Sequence, residues 1–142
     1  KGLPNEEIID KLAKPALIIL YDLMIEAKSK YLEDLYTRQV HHKDLILFFV
    51  TQYLFIPHAR IARTNTQYFA FMSAPMDQLS IRNISYQWYP LDKDFLKSAY
   101  KQATEKRYGY LWSDMSPATH DLLRHRTNIF PGEQITVFVP SR

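Results

Sequence analysis

Residues 45–72, LILFFVTQYLFIPHARIARTNTQYFAFM, are the stretch from which the fold is predicted. The stretch begins with an apolar block that only Thr51 and Gln52 interrupt before Pro57, and it closes on a cluster of aromatic residues. An apolar block of this length with few β-branched side chains favours a buried helix over 43–56. A buried strand is the competing interpretation.

The residues on either side of this block also carry helical patterns. Asn5 is suited to cap a helix over 5–13, with two acidic residues in its first turn. Apolar residues then recur at spacings of three and four, which predicts a second helix over 15–36 that begins at Pro15. The apolar residues within 58–72 fit one face of a further helix. An extended conformation of residues 68–72 is the alternative.

The second half of the chain has a different period. Apolar and polar residues alternate over 81–89, which predicts a strand. Asp92 is suited to cap a helix over 93–107, and a Ser-Pro pair predicts a further helix over 117–126. The residues 134–139, QITVFV, predict a second strand after a Pro-Gly turn. These patterns together predict a mostly helical α+β fold with a small sheet.

The composition is typical of one ordered globular domain. Of the 142 residues, 46% are hydrophobic and 23% are charged, and three glycines are too few for long flexible linkers. We therefore expect a single domain over 1–142, and the start at Lys1 indicates a processed protein or a domain excised from a longer chain. No run approaches the roughly 20 apolar residues of a membrane span. The cytoplasm is favoured as the location, and a periplasmic domain of an anchored protein is the alternative.

The sequence has few residues in the patterns that enzymes use. The chain has no cysteine, which excludes disulfides, a thiolate nucleophile and cysteine-bound metals. It also lacks the G-x-S-x-G elbow and the glycine-rich phosphate loops. The five histidines lack the spacing that places two imidazoles on one helical face; they are His41, His42, His58, His120 and His125. No catalytic residue, metal ligand or cofactor is predicted, and a small hydrolase or metal-dependent enzyme that uses these histidines is the last alternative.

The aromatic residues carry the main functional prediction. Tyrosine and tryptophan are frequent anchors of protein interfaces, and a terminal strand can pair with the sheet edge of a neighbour. The sequence therefore predicts a non-catalytic binding or assembly module that acts through protein–protein contacts as a component of a larger complex. The predicted partner-binding residues are Tyr108, Tyr110, Trp112, Ile135, Val137 and Val139.

Nucleic-acid binding is the first alternative. The net charge of +3 permits an anionic partner, and three lysines recur every four residues on the predicted helix 93–107. A weak helix-turn-helix pattern around 43–67 points to the same function. The predicted nucleic-acid-binding residues are Arg60, Arg63, Lys93, Lys97, Lys101, Lys106, Arg107, Arg124 and Arg126.

Overall fold

A computed structural model describes residues 3–21, 30–56 and 60–141. The described residues form an α+β structure with five helices and two sheets, about 37% helical and 22% strand. The prediction of a mostly helical fold is therefore wrong. Contacts within the chain divide it into two compact units, Lys1–Asn65 (unit 1) and Thr66–Arg142 (unit 2). The prediction of a single domain stays a prediction.

Unit 1 is built around a parallel pair of strands. In chain order its elements are α1 (Glu6–Asp10), β1 (Ala16–Tyr21), α2 (consecutive segments Lys30–Asp34, Leu35–Gln39 and Val40–His42), β2 (Leu45–Val50) and α3 (Arg60–Asn65). The middle segment of α2 has π-helical geometry. Because parallel strands need a crossover connection, α2 lies between β1 and β2 in the sequence. The strands pair from Ala16 opposite Leu45 to Tyr21 opposite Val50.

The core of unit 1 lies on one face of this strand pair. Ile18 and Leu20 of β1 are buried there with Leu45 of β2, and they share one apolar cluster with Leu32 and Leu35 of α2. Ion pairs join α1 to α2 and to the residue that follows α2: Arg38 pairs with Glu6 and Lys43 with Asp10, while Arg38 also pairs with Asp34 within α2. The helices thus cover one face of the strand pair.

The helices predicted over 15–36 and 43–56 are the main errors in unit 1. The first range begins with β1, and its residues 22–29 lie outside the described part of the chain. Only from Lys30 onwards is this range helical. The second range contains β2. The sequences ALIILY and LILFFV are almost entirely apolar, as is common for strands of parallel sheets, so they carry no period-2 signal. The helix predicted over 5–13 is confirmed in a shorter form by α1, whose N-cap Asn5 accepts a hydrogen bond from the Ile8 amide.

Unit 2 contains an antiparallel sheet and two longer helices. In chain order its elements are β3 (Tyr68–Met72), α4 (Gln78–Trp88), α5 (Phe95–Ala103), β4 (Tyr110–Asp114), a 3₁₀ turn (Asp121–Leu123), β5 (His125–Thr127) and β6 (Thr136–Phe138). The strand order is β3-β4-β5-β6, so each strand pairs with the next one in the sequence. Close contacts join α4 to α5, and α5 to β4 and β5.

One face of this sheet carries most of the core of unit 2. Phe69 and Leu111 are buried on neighbouring strands, and the Phe69 ring lies 5.1 Å from that of Trp88 on α4. From α5, Leu96 is fully buried. Gly109 lies between α5 and β4 where a Cβ atom would overlap the Ala103 carbonyl oxygen, so the close approach there requires glycine.

The predictions for the second half are partly confirmed. The helix predicted over 93–107 exists in a shorter form as α5, and the strand over 134–139 as β6. The strand predicted over 81–89 is wrong, because these residues lie in and just after α4. The helix over 117–126 is also wrong, since that range contains the 3₁₀ turn and the start of β5. Over 58–72, α3 is followed by β3, so the extended alternative holds for its last part.

Candidate functional site

The face of the β1–β2 pair opposite the core is exposed and carries aliphatic and aromatic side chains without a charge. Because side chains alternate along a strand, every second residue of each strand points to this face. We call these six residues the outer face: Leu17, Ile19, Tyr21, Ile46, Phe48 and Val50. Their exposed fractions range from 36% for Val50 to 72% for Tyr21.

The register of the strands brings the outer face together as three cross-strand pairs. Leu17 lies opposite Ile46, Ile19 opposite Phe48, and Tyr21 opposite Val50. An antiparallel sheet commonly exposes one polar face, whereas parallel sheets are normally covered on both faces. An uncovered parallel pair with only apolar side chains on one face is therefore the most unusual feature of the described residues of unit 1.

The size of the outer face limits what can cover it. Six residues at about 3.3 Å per residue make the face roughly 20 Å long, and two strands about 4.8 Å apart make it narrow. The six side chains together expose roughly as much as three to four whole side chains. At about 1.5–3 kcal/mol for each whole side chain, covering the face is worth on the order of 5–10 kcal/mol.

Arg60 and Arg63 of α3 form a second unusual feature of unit 1. Within residues 3–21, 30–56 and 60–141, neither arginine lies within ion-pair distance of a carboxylate. The Arg63 guanidinium lies 4.3 Å from the centre of the Phe55 ring and donates a 3.4 Å hydrogen bond to the Leu54 carbonyl. Burial lowers the pKa of Arg63, and the positive charge of Arg60 lowers it further. The two side chains thus place uncompensated positive charge next to each other.

Unit 2 contains a buried polar cluster around His125. The Ser113 hydroxyl lies 2.9 Å from Nδ1 of His125, and the Tyr89 hydroxyl lies 2.6 Å from Nε2. Burial lowers the pKa of His125 to about 4, with a further contribution from Arg124, and burial raises the pKa of Tyr89. Although a serine and a histidine are in contact, Ser113 is fully buried and no substrate can reach it in this conformation. The cluster therefore links Tyr89, the residue that follows α4, to β4 and β5, and its role is structural.

The predicted partner-binding residues lie in unit 2, on or beside its sheet. Trp112 and Val137 share the sheet face opposite the core, where Trp112 stacks on Tyr68 with ring centres 5.6 Å apart. Tyr110 lies on the same face and its hydroxyl accepts a hydrogen bond from the Ile129 amide. Tyr108 is exposed between α5 and β4, and Ile135 and Val139 are exposed beside β6. The structure thus brings three of the six together.

The predicted basic residues are divided between the two units, with Arg60 and Arg63 in unit 1 and the other seven in unit 2. Lys97 and Lys101 are exposed on α5, followed by the exposed Lys106 and Arg107. Lys93 lies over the ring of Tyr86 and Arg107 over that of Tyr108. Arg124 pairs with Asp121, and Arg126 with Asp114 at 3.0 Å. The guanidinium groups of Arg124 and Arg126 are therefore already paired with carboxylates. Those of Arg60 and Arg63 have no such pair among the described residues.

The histidines give no support to a metal site within the part of the chain that the structure describes. His41 and His42 are exposed at the end of α2, His120 accepts a hydrogen bond from the Leu122 amide, and His58 lies outside the described residues. No group of three potential metal-binding side chains is found among the described residues. Nor is any described helix of sufficient length and apolar character to cross a membrane.

Comparison with known proteins finds no matching family model, no matching curated protein and no matching solved structure. Functional inference therefore depends on the geometry of the described residues. Sequence reasoning missed the outer face, because it treated the apolar block as a helix that its own domain buries. The signal that could have found it is that both runs are apolar at every position, so each strand needs apolar partners on two sides.

Proposed function

We propose that this protein is a non-catalytic assembly module whose outer face binds an amphipathic helix of a partner protein. The observation that carries this proposal is the exposure of all six apolar side chains on one side of a parallel strand pair. Parallel sheets are normally covered by helices on both faces, and α2 supplies a helix only on the core side. The partner supplies the missing layer.

The dimensions and chemistry of the outer face define the partner. A helix is about 10 Å wide and rises 1.5 Å per residue, so roughly 13–14 residues cover a face about 20 Å long. No residue of the outer face is charged, so an uncharged apolar stripe is the complementary surface. Side chains at positions i, i+3, i+4 and i+7 of the partner helix form such a stripe.

A second copy of the chain is a poorer occupant. The outer face consists of six residues on two strands. A stable interface between two proteins usually takes roughly 20–30 residues from each partner. Two outer faces packed against each other therefore supply less than a stable dimer needs, whereas one bound helix matches the face in size.

A model helix tests the proposal directly. The probe is a 14-residue helical peptide with leucines at i, i+3, i+4 and i+7, and a scrambled peptide of the same composition is its control. Isothermal titration measures the binding of both peptides to the full chain. We expect binding of the amphipathic peptide alone, and absence of binding at millimolar concentration contradicts the proposal.

A double variant locates the binding surface. Ile19→Thr/Phe48→Thr removes two outer-face side chains that are 60% and 51% exposed, while threonine preserves strand propensity. We expect peptide affinity to fall by about 10- to 100-fold, because roughly one whole apolar side chain leaves the interface. Leu79→Thr on α4 is the matched control, since Leu79 is 60% exposed outside the outer face. Equal affinities for the double variant and the unmodified chain would refute the assignment.

Nucleic-acid binding through Arg60 and Arg63 is a second candidate function. Their uncompensated positive charge favours it, because Arg63 is half-buried beside Arg60 without a carboxylate partner in the described residues. We expect a single-stranded oligonucleotide to bind at low salt and to dissociate as salt rises. Arg60→Gln/Arg63→Gln should weaken this binding and lower its salt dependence, whereas Lys97→Gln should leave both unchanged. Failure to retain the oligonucleotide at low salt excludes this candidate.

A further inference from the structure

The side chain of Arg63 is held in place by the segment that follows β2. Its guanidinium carbon lies 4.3 Å from the centre of the Phe55 ring, and Nη1 donates a 3.4 Å hydrogen bond to the Leu54 carbonyl. On the same helix, Ala62 is only 4% exposed and belongs to the core cluster of unit 1. Because both the helix and the planar guanidinium are anchored, the remaining N–H groups of Arg63 have a defined orientation.

Most of the hydrogen-bonding capacity of this guanidinium is unused. An arginine side chain carries five N–H donors, and in the described structure Arg63 uses one of them, on Leu54. Arg60 lies three residues earlier, on the same side of α3, and its positive charge acts on Arg63. Across the described ranges, no carboxylate lies within ion-pair distance of either arginine. The two neighbouring cations therefore have the donors and the charge to hold an anion.

The arginine pair lies in a part of unit 1 where a ligand is expected. Because β1 and β2 are parallel, their carboxyl ends lie at the same end of the strand pair. Leu54 and Phe55 belong to the segment that leaves the carboxyl end of β2, and Arg63 contacts both of them. In open sheets of parallel strands and helices, ligands bind just beyond the carboxyl ends of the strands.

The charge of the pair defines the class of anion. A guanidinium matches the oxygens of a carboxylate or a phosphate through two parallel hydrogen bonds. A carboxylate or a phosphodiester carries one negative charge, whereas a phosphomonoester carries about 1.5–2 negative charges at neutral pH and three acceptor oxygens. Two guanidinium groups therefore balance a phosphomonoester. We propose that Arg60 and Arg63 form a binding site for a phosphomonoester at the carboxyl end of the strand pair.

This inference goes beyond the proposed function, because the outer face takes no part in it. Ala62 packs α3 into the core cluster, which lies on the opposite face of the strand pair. The inference also differs from nucleic-acid binding by the same two arginines, since the backbone of an oligonucleotide consists of phosphodiesters. The type of phosphate that binds therefore separates the two.

NMR titration of the full chain at low ionic strength tests the inference through the Nε–H signals of Arg60 and Arg63. The probes are adenosine 5′-monophosphate and inorganic phosphate. The controls are adenosine and the dinucleotide adenylyl-adenosine, whose phosphate is a diester. At millimolar concentration the monophosphate should shift both arginine signals, the diester should bind about 10-fold more weakly, and adenosine should not bind. Lowering the pH below about 6 should weaken binding of the monophosphate, because the ester then takes up a second proton.

Single variants locate the site on α3. Arg60→Gln and Arg63→Gln should each weaken binding of the monophosphate by about 10-fold or more, because each removes charge-assisted hydrogen bonds. Arg63→Lys keeps the charge but loses the planar fork, so its affinity should lie between those of Arg63→Gln and the unmodified chain. Arg107→Gln is the matched control, since the Arg107 guanidinium also lies over an aromatic ring, 4.8 Å from the centre of Tyr108. Circular dichroism verifies that the variants fold.

The outcomes are distinct. Equal affinity for the monophosphate and the diester would overturn the inference in favour of nucleic-acid binding, and binding of inorganic phosphate alone would overturn it in favour of the free ion. Equal binding of adenosine would mean that the base is recognised. Absence of any shift, or affinity unchanged in both glutamine variants, would remove the site from α3. Failure of the model helix to bind the outer face would instead remove the proposed function and leave this inference standing.

Discussion

Acid should destabilise unit 2 through the buried ring of His125. The ring is almost completely buried between Ser113 and Tyr89, with the aromatic rings of Trp88 and Phe95 within about 6 Å. In the neutral ring one nitrogen donates and the other accepts, so both hydroxyl groups find a partner. A proton on the second nitrogen introduces a buried charge, and among the described residues the charged group that acts on the ring is Arg124, which disfavours that proton further.

The size of this loss of stability follows from the pKa of His125 in the unfolded chain and its pKa in the folded protein. Burial lowers the pKa from the ordinary 6.5 to about 4 in the folded protein. Above pH 6.5 the ring is neutral in both states and its contribution to stability is complete. As the pH falls from 6.5 to about 4, the unfolded chain binds a proton that the folded chain does not, so the free energy of unfolding decreases. The total loss is about 3 kcal/mol at roughly 1.4 kcal/mol per pH unit, and it is complete below the folded pKa.

Urea denaturation between pH 7 and pH 4 measures this loss. Tryptophan fluorescence reports on unit 2, because Trp88 and Trp112 both lie in it. His125→Gln removes the titrating group, so the variant should lose about 3 kcal/mol less than the unmodified chain over this pH range. His120→Gln, an exposed histidine of the same unit, is the control and should follow the unmodified chain. Identical pH dependence of the His125 variant and the unmodified chain would refute the reasoning.

Three further substitutions should lower the free energy of unfolding at neutral pH. Ser113→Ala removes the partner of one buried nitrogen of His125 and should cost about 1–3 kcal/mol; an unchanged urea midpoint would contradict that hydrogen bond. Gly109→Ala forces a Cβ atom against the Ala103 carbonyl oxygen and should cost roughly 1–3 kcal/mol in thermal denaturation, where a neutral result would mean that the turn can relax. Leu35→Ala leaves a cavity at a fully buried position of unit 1 and should lower the free energy of unfolding by about 2–5 kcal/mol, as measured by circular dichroism. A smaller decrease would mean that the surrounding residues fill the cavity.

Elements with local signals could be predicted from the sequence. In α1 the capping side chain of Asn5 and the acidic first turn are adjacent in the chain. In α5 the buried residues Phe95, Leu96 and Ala99 recur at helical spacing, so the amphipathic pattern identifies the helix. Both predictions needed no knowledge of distant contacts, which is why they were confirmed in shorter form.

The strands of unit 1 could not be identified in the same way. β1 is apolar at every position, and so is β2, because one face meets the core and the other is apolar and exposed. For β2, length is then the remaining criterion, and the apolar residues that continue past Val50 favour a helix. For β1, the apolar spacings of three and four over 15–36 also favour a helix. Parallel pairing depends on a partner strand more than twenty residues away, which no local pattern reveals.

The helix α4 shows the opposite ambiguity. Ile84 and Trp88 fit both a period of two and a helical spacing of four, and the alternation of polar residues between them favoured a strand. The deciding signal is the Asp77 side chain, which accepts a hydrogen bond from the Ser80 amide and caps the helix. The candidate site could be predicted only in part: runs that are apolar at every position indicate that both faces need apolar partners, but the sequence does not say which face the chain itself covers.

The outer face also affects the life of the chain before assembly. Under the proposed function, a newly made chain that has not yet bound the proposed partner exposes a continuous apolar surface, which binds chaperones and promotes aggregation at high concentration. Chains produced in excess of the proposed partner are then candidates for proteolysis, so we expect the cellular amount of this protein to follow the amount of that partner. Co-expression with the partner is accordingly expected to raise the yield of intact material.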